Sequence, residues 1–449
     1  MLKKLLFSLV LISCTIQGQT YVKGTINTAN EIGNYAILYQ LKGVKQLYIK
    51  NDTITNGAFK IAFPENASKG MYRIFYDMKN QAFVDFIYNN ENVQLHFDAA
   101  NPDETLDFSV SEENITYYKY INEATAAKRK LDSLQVLYFK IKDAKQQENM
   151  GRLYRETKNS YDQIQLKHEK NSAHILANHF IKVNRKYYAS EIFHTPQEYL
   201  NSEKQHYFDF IDFNDSALIN STFLSEKVMD YIFYLNVSED IEVQKALYKK
   251  AITEVMHKIG DNMYVKSELL TLMLVTFAQA ENSTLVDYII DEYYHKLPPE
   301  YQNRETLNKI QASVRLAVGK NAPEITWVEE EQTKKLSEFN GYDRYILVFW
   351  STSCPHCLKE IPKLYEYTKD NSGIHVVAVA LENDETEFNN FTADLSGWTH
   401  ILGLKKWENP IALDYEITST PTYFVLDAAK KIISKPEYFK DVKSFFEKE

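Results

Sequence analysis

The chain has 449 residues, 44% of them apolar and 25% charged, with 13 Gly and 11 Pro. That excludes a collagen-like or largely disordered polymer and calls for about three domains at roughly 150 residues each. A net charge of −10, with no block of Lys and Arg to track a phosphate backbone, excludes nucleic acid as a partner.

Residues 1–19 read as a signal peptide: Lys3 and Lys4 precede an apolar run over residues 5–12, too short to span a bilayer and the right size for a secretory h-region. Leu11-Ile12-Ser13-Cys14 also resembles the bacterial lipobox, in which the Cys is acylated and becomes the new N-terminus. Cleavage near Gly18 and Gln19 is the alternative, and it discards Cys14. Either way the expectation is an exported protein of the periplasm or cell envelope. No later segment reaches about 18 unbroken apolar residues, so membrane association is expected only through a lipid on Cys14. The remaining cysteines, Cys354 and Cys357, form one dithiol in a compartment where disulfides persist.

Residues 20–111 carry short runs rich in Val, Ile, Tyr and Phe, such as YAILYQL, AFKIAF and MYRIFYDM, separated by turn residues. Asn56-Gly57 predicts a tight hairpin, because both residues tolerate positive φ. An antiparallel β-sandwich or barrel follows, without a cluster of acids, histidines or cysteines, and its expected role is scaffolding or partner binding. Residues 112–316 change period. Apolar residues recur three and four apart between charges, almost free of Gly and Pro until Pro298-Pro299, which predicts amphipathic helices in a bundle rather than a repeat array. From about residue 317 strands and helices alternate (YILVFW, the segment after Cys354, IHVVAVAL, DETEFNNFTADL, HILGL, TYFVLD, KIISK and a last helix), the mark of an α/β layer fold. The whole is a multidomain α+β chain.

The stretch FWSTSCPHCLKEIP places a C-x-x-C pair between a buried strand and a helix. The first sulfur then sits at a helix N-terminus, where unpaired N–H groups stabilise a thiolate and lower a thiol pKa to about 3.5–7.5. Cys354 is the expected nucleophile and Cys357, one turn later and deeper, the residue that resolves a mixed disulfide. Pro355 suits the first helical turn, and His356, when protonated, adds positive charge beside the sulfur or else is an exposed ring without consequence.

FWSTSCPHCLKEIP, followed some sixty residues on by STPTYFVLD, resembles the thioredoxin superfamily, in particular its exported TlpA/ResA-like thiol-disulfide oxidoreductases, over roughly residues 319–449. The front of the chain resembles more loosely the β-rich domain of Bacteroidetes-type multidomain envelope proteins that end in a thioredoxin domain. The resemblance implies an α/β thioredoxin fold, attack by Cys354 and resolution by Cys357. It also implies a helix-kinking Pro362, a cis-proline at Pro421 facing the dithiol, and a Thr420 backbone that pairs with an extended substrate. Glu360 matches the family acid that tunes the thiols, its plainer reading being a solvated helix charge. The chain departs from cytoplasmic thioredoxins in carrying Val348 in place of a buried Asp and Ser353 in place of a Trp, while Trp350 is expected to pack beneath the site. The Pro-His dipeptide points to oxidising enzymes and Glu360 to reductases, so the direction of electron flow stays open.

The expected function is thiol-disulfide exchange with protein thiols and disulfides, as reductase or isomerase, served by an upstream redox partner and needing no cofactor or metal. Zinc would want four ligands and copper a distant His such as His375 or His400. A peroxiredoxin would want a Thr at the place of Ser351, and a structural disulfide closing so short a loop would remove little chain entropy. The other readings are an envelope binding module with an incidental dithiol, or a copper-chaperone-like protein. The helical segment would restrict which clients reach Cys354, or build a homodimer as in some isomerases.

Overall fold

A computed structural model describes residues 19–27, 33–329 and 331–448. The signal-peptide reading and Cys14 lie outside the described residues. The chain divides into two compact units, one ending at Leu269 and the other beginning at Leu270.

In the first unit, β1 (Tyr21–Asn27), β2 (Tyr35–Lys42), β3 (Lys45–Thr53), β4 (Ala58–Ala62), β5 (Gly70–Asp77), β6 (Ala82–Tyr88), β7 (Val93–Asp98) and β8 (Asp107–Val110) form two four-stranded sheets. Their strand orders are β4-β1-β7-β8 and β3-β2-β5-β6. Alternation decides the faces. Along β1, Val22, Gly24 and Ile26 are buried while Lys23 and Thr25 are exposed. One hydrophobic cluster takes Val22, Phe59, Leu95 and Phe97 from the first sheet and Leu38, Tyr72, Ile74 and Phe86 from the second. The described strands close no barrel. The antiparallel expectation is corrected at one pair: β1 runs parallel to β7, with Val22 opposite Val93. A parallel pair needs a long crossover, and the excursion through β2 to β6 supplies it.

Asn56-Gly57 does make its tight turn, with φ +51° and +74°, and Thr55 and Ala58 exchange both main-chain hydrogen bonds at 2.9 and 3.0 Å. Yet the strands on either side of it belong to different sheets. A Cβ on Gly57 would stand 2.5 Å from the Ile26 carbonyl oxygen, so both the conformation and the space require glycine.

Two long helices follow, Glu112–Tyr138 and Ala144–Asn171, capped by the Ser111 and Asp143 side chains. Tyr117, Tyr120, Ala124, Leu131, Leu134 and Tyr138 line the buried stripe of the first, and Tyr154, Tyr161, Gln165 and His168 that of the second. The Tyr120 hydroxyl donates to Gln165 Oε1 at 2.8 Å, so this interface is held by phenols and amides as well as by area. Further helices run through Ile241–Ile259 in this unit.

In the second unit the helices Ser283–Glu292 and Arg304–Ser313 precede a β9–β10 hairpin (Thr326–Glu329 and Gln332–Lys335) that the sequence did not suggest. Next come β11 (Arg344–Trp350), β12 (Ile374–Glu382), β13 (Thr399–Leu404), β14 (Thr422–Asp427) and β15 (Ile432–Ser434), in the order β13-β12-β11-β14-β15. β11, β12 and β13 are parallel, and β14 and β15 are antiparallel additions. β11 is buried on both faces. Ile346, Val348 and Trp350 face one cluster with Cys357, Ile361 and Leu364 of the helix Pro355–Thr368, and Tyr345, Leu347 and Phe349 face another.

Candidate functional site

β11 ends at Trp350, and the chain turns so that the Cys354 amide donates to the Ser351 carbonyl at 3.1 Å. Cys354 is the N-cap of the helix Pro355–Thr368, and its sulfur accepts from the Cys357 amide at 3.3 Å. A sulfur thus takes the capping role that a Ser or Asp oxygen usually fills. The Cys354 thiol also donates to the Thr420 carbonyl at 3.3 Å, and the Thr420–Pro421 bond is cis. The structure therefore brings Cys354, Cys357, Thr420 and Pro421 together. Both cysteines are free thiols, Cys354 half-buried and Cys357 fully buried.

Their protonation is asymmetric. Burial pushes the Cys354 thiol up, but hydrogen bonds from the Cys357 thiol and amide, from Thr420 and from the His356 amide outweigh it and hold Cys354 below its ordinary 9.0. Burial foremost, and then Cys354 itself, push Cys357 up to about 12. His356 enters through its main-chain N–H, and its ring is exposed. Trp350 is fully buried, packed on Phe391 at 5.0 Å between ring centroids, with an indole N–H that has no hydrogen-bond partner among the described residues. Pro362 lies inside the helix on its exposed side.

Glu360 is half-buried and spoken for. Its Oε2 accepts from the Phe439 amide at 2.7 Å, at the start of the helix Phe439–Phe446, and from the Tyr423 hydroxyl at 3.5 Å. Tyr423 is buried, and Glu360, Cys357 and Cys354 each add to the rise in its pKa that burial begins. The phenol thus lies electrically between the acid and the sulfurs.

Sequence reasoning missed three further residues. Glu382, buried at the end of β12, accepts the Thr352 amide on Oε1 at 2.5 Å and so holds the loop before Cys354. Lys406 donates to Ser353 Oγ at 3.1 Å, and Ser353 Oγ shares a hydrogen bond with Ser351 Oγ at 2.9 Å. Lys405 and Lys406 reach this position through consecutive positive φ values of 72° and 46°. Tyr423 is the third. Their one shared signal was place: the ends of β12 and β13 and the start of the antiparallel β14 lie beside the end of β11, where α/β sheets gather their sites.

The histidines considered for copper stand elsewhere. His375 pairs in register with Tyr345, near the start of β11 rather than its end, and shares a hydrogen bond with Thr399 Oγ1 at 2.9 Å. His400 Nε2 lies 2.8 Å from the Leu395 carbonyl.

Residues 341–432 match the family model described as thioredoxin-like. The thiol-disulfide oxidoreductase ResA of Bacillus thuringiensis is 28% identical over 130 residues, which cover 27% of this chain and 70% of that protein. Among solved structures, a domain of a possible thiol-disulfide isomerase from Cytophaga hutchinsonii is 30% identical, covering 30% of this chain and 92% of that one, with a TM-score of 0.27. The thioredoxin domain of a thiol-disulfide oxidoreductase from Bacteroides vulgatus is 27% identical, covering 30% and 97%, with a TM-score of 0.26. Through this C-terminal domain the chain belongs to the thioredoxin superfamily, in its TlpA/ResA-like thiol-disulfide oxidoreductase class.

Proposed function

We propose that the chain exchanges electrons with protein disulfides of the cell envelope, with Cys354 as the attacking thiol and Cys357 as the resolving one. The observation that carries the reading is the split between the two sulfurs. One is half-exposed and capped by N–H donors, and the other is buried and protonated. The Cys354 thiolate attacks one sulfur of a client disulfide, forming a Cys354–client bond and releasing a client thiolate, which takes up a proton. Cys357 then loses its proton and attacks the Cys354 sulfur. That forms the Cys354–Cys357 disulfide and frees the second client thiolate, so two electrons have passed to the client. A dithiol reductant upstream restores the pair.

The Thr420 carbonyl, freed when the Cys354 thiol ionises, then accepts a main-chain N–H of an extended client segment. The apolar run over residues 5–12 after Lys3 and Lys4 supports an envelope location, and no helix among the described residues is long and apolar enough to cross a membrane. Within this class the work is reduction or isomerisation of envelope proteins, thiol reduction before haem attachment in cytochrome c maturation included. The test uses the purified full chain. Wild type reduces insulin disulfides with dithiothreitol as electron source, and Cys354→Ser does not. Cys357→Ser accumulates clients from envelope extracts as mixed disulfides on Cys354, and their identity separates reduction from isomerisation. Equal rates for wild type and Cys354→Ser would sink the proposal.

A further inference from the structure

The helical part of the first unit encloses a cavity of about 120 Å³ whose walls include Lys128, Arg185, Lys186, Lys227, Glu203 and Tyr207. In a chain of net charge −10, four cations against one carboxylate around a single cavity is a strong local inversion. Two of the four are neutralised. Lys186 Nζ lies 3.0 Å from Asp132 and 2.9 Å from Glu203, and Arg185 reaches Glu169 at 3.7 Å. His206, also on the wall, is paired with Asp209 at 2.6 Å.

Lys128 and Lys227 are different. Among the described residues neither has a carboxylate partner within 4.0 Å, although both are half-buried. Lys128 gives one proton to the Asn184 carbonyl at 2.5 Å, the C-cap of the helix Ala177–Val183, which accounts for one of its three donors. Lys227 stands over the Tyr207 ring at 5.6 Å from the centroid. The strain shows in their acidity. Burial, then Lys227 and Lys186, push Lys128 down to about 8 against the weaker pull of Asp132, and burial lowers Lys227 against the pull of Asp230 and Glu226. Half-buried like charges persist together where an anion completes them.

We propose that this cavity is a binding site for a small phosphate-type oxyanion, inorganic phosphate or the phosphate of a monoester, held by Lys128 and Lys227 with Tyr207 as its apolar wall. Its size suits a compact anion rather than a polyanion, and the acidic surface of the chain repels the latter. Tetrahedral oxyanions present several acceptors at once, which matches two ammonium groups converging from different helices.

The site belongs to the unit that lacks the dithiol, so its test is independent of the exchange reading. The full chain is titrated calorimetrically with sodium phosphate and, separately, with sodium chloride at matched ionic strength. The expected result is one saturable site for phosphate and none for chloride. Lys227→Met weakens it by at least about tenfold, as the loss of one charge-assisted hydrogen bond implies. Lys128→Met does the same, and both variants keep wild-type insulin reduction. A phenyl phosphate titration that saturates the same site extends it to monoesters, and one that does not confines it to the free ion. Heat indistinguishable between phosphate and chloride, or equal phosphate affinity in wild type and Lys227→Met, overturns the proposal. Urea midpoints without phosphate show that each variant folds before its titration is read, and Lys227→Met, which gives up a stacked ring rather than a main-chain acceptor, carries the test if Lys128→Met, which vacates the Asn184 carbonyl, does not fold.

Discussion

Alkylation separates the two sulfurs quantitatively. With Cys354 below 9.0 and Cys357 at about 12, the thiolate populations at any pH below 9 differ by at least about a thousandfold. A more basic thiolate is the better nucleophile, and a Brønsted slope of about 0.4–0.5 returns roughly 15- to 30-fold to Cys357. Below the Cys354 pKa the net expectation is that Cys354 reacts about 30-fold faster or more, before the burial of Cys357 widens the gap. The assay treats the reduced full chain with iodoacetamide from pH 5 to 9.5 and counts labelled peptides by mass spectrometry, with a urea-unfolded control in which the two react alike. The Cys354 rate climbs about tenfold per pH unit and levels off below pH 9. Cys354→Ser leaves Cys357 slow, because burial comes first among the causes of its high pKa and the neighbouring sulfur second. Equal labelling in the native chain, or a Cys357 that becomes fast in Cys354→Ser, would refute the asymmetry or its assignment to burial.

His375 gives a pH signature. Burial and then His400 push its pKa down to about 4 from 6.5, so the folded chain binds it neutral while the unfolded chain protonates it. Its contribution is fully present above pH 6.5 and is lost as pH falls toward 4, about 3 kcal/mol in all, and urea midpoints of His375→Phe should be flatter than wild type across that window. Asn114 is fully buried and holds both the amide and the carbonyl of Ile87, at 2.8 and 2.7 Å. Asn114→Ala orphans both groups and lowers stability by about 2–4 kcal/mol in urea denaturation, and a shift within error would assign Asn114 no structural weight. Glu382→Ala releases the Thr352 amide, and we expect roughly tenfold slower insulin reduction with the pH midpoint of Cys354 alkylation unchanged, the mark of lost positioning rather than lost ionisation. A rate equal to wild type would remove Glu382 from the site.

What a sequence reveals depends on how far apart the causes lie. The dithiol, its helix and the strand before it are local: an apolar run, then C-x-x-C with Pro355 at N1, specify the strand-to-cap transition within a dozen residues. The period change near residue 112 is equally local, because Ser111 caps the helix whose buried stripe then repeats every three or four residues. Register is not local. Whether β1 meets β7 in parallel, or whether β3 and β4 stay in one sheet after a perfectly good Asn-Gly turn, depends on partners about thirty to seventy residues away. The missed site residues share that origin. Glu382 and Lys406 come from the ends of other strands, 28 and 52 positions after Cys354, and nothing in their own neighbourhoods marks them as facing a sulfur.

Glu360 shows how the two kinds of information meet. Motif resemblance marks it as a tuner of the thiols, whereas the structure gives its carboxylate two donors, the Phe439 amide and the Tyr423 hydroxyl. The first is a helix cap in trans, fastening the last helix to the one that begins at Cys354. The second reaches toward the dithiol, because the sulfurs act on the same phenol. Two substitutions pull these roles apart. Glu360→Gln keeps an acceptor for Phe439 and removes the charge, so it should cost little in urea unfolding while altering the pH profile of exchange through Tyr423. Glu360→Ala removes both and should add a stability loss of about 1–2 kcal/mol for the vacated cap. A Glu360→Gln chain with a wild-type pH profile would make the residue a fastener alone, with no part in proton movement at Cys357.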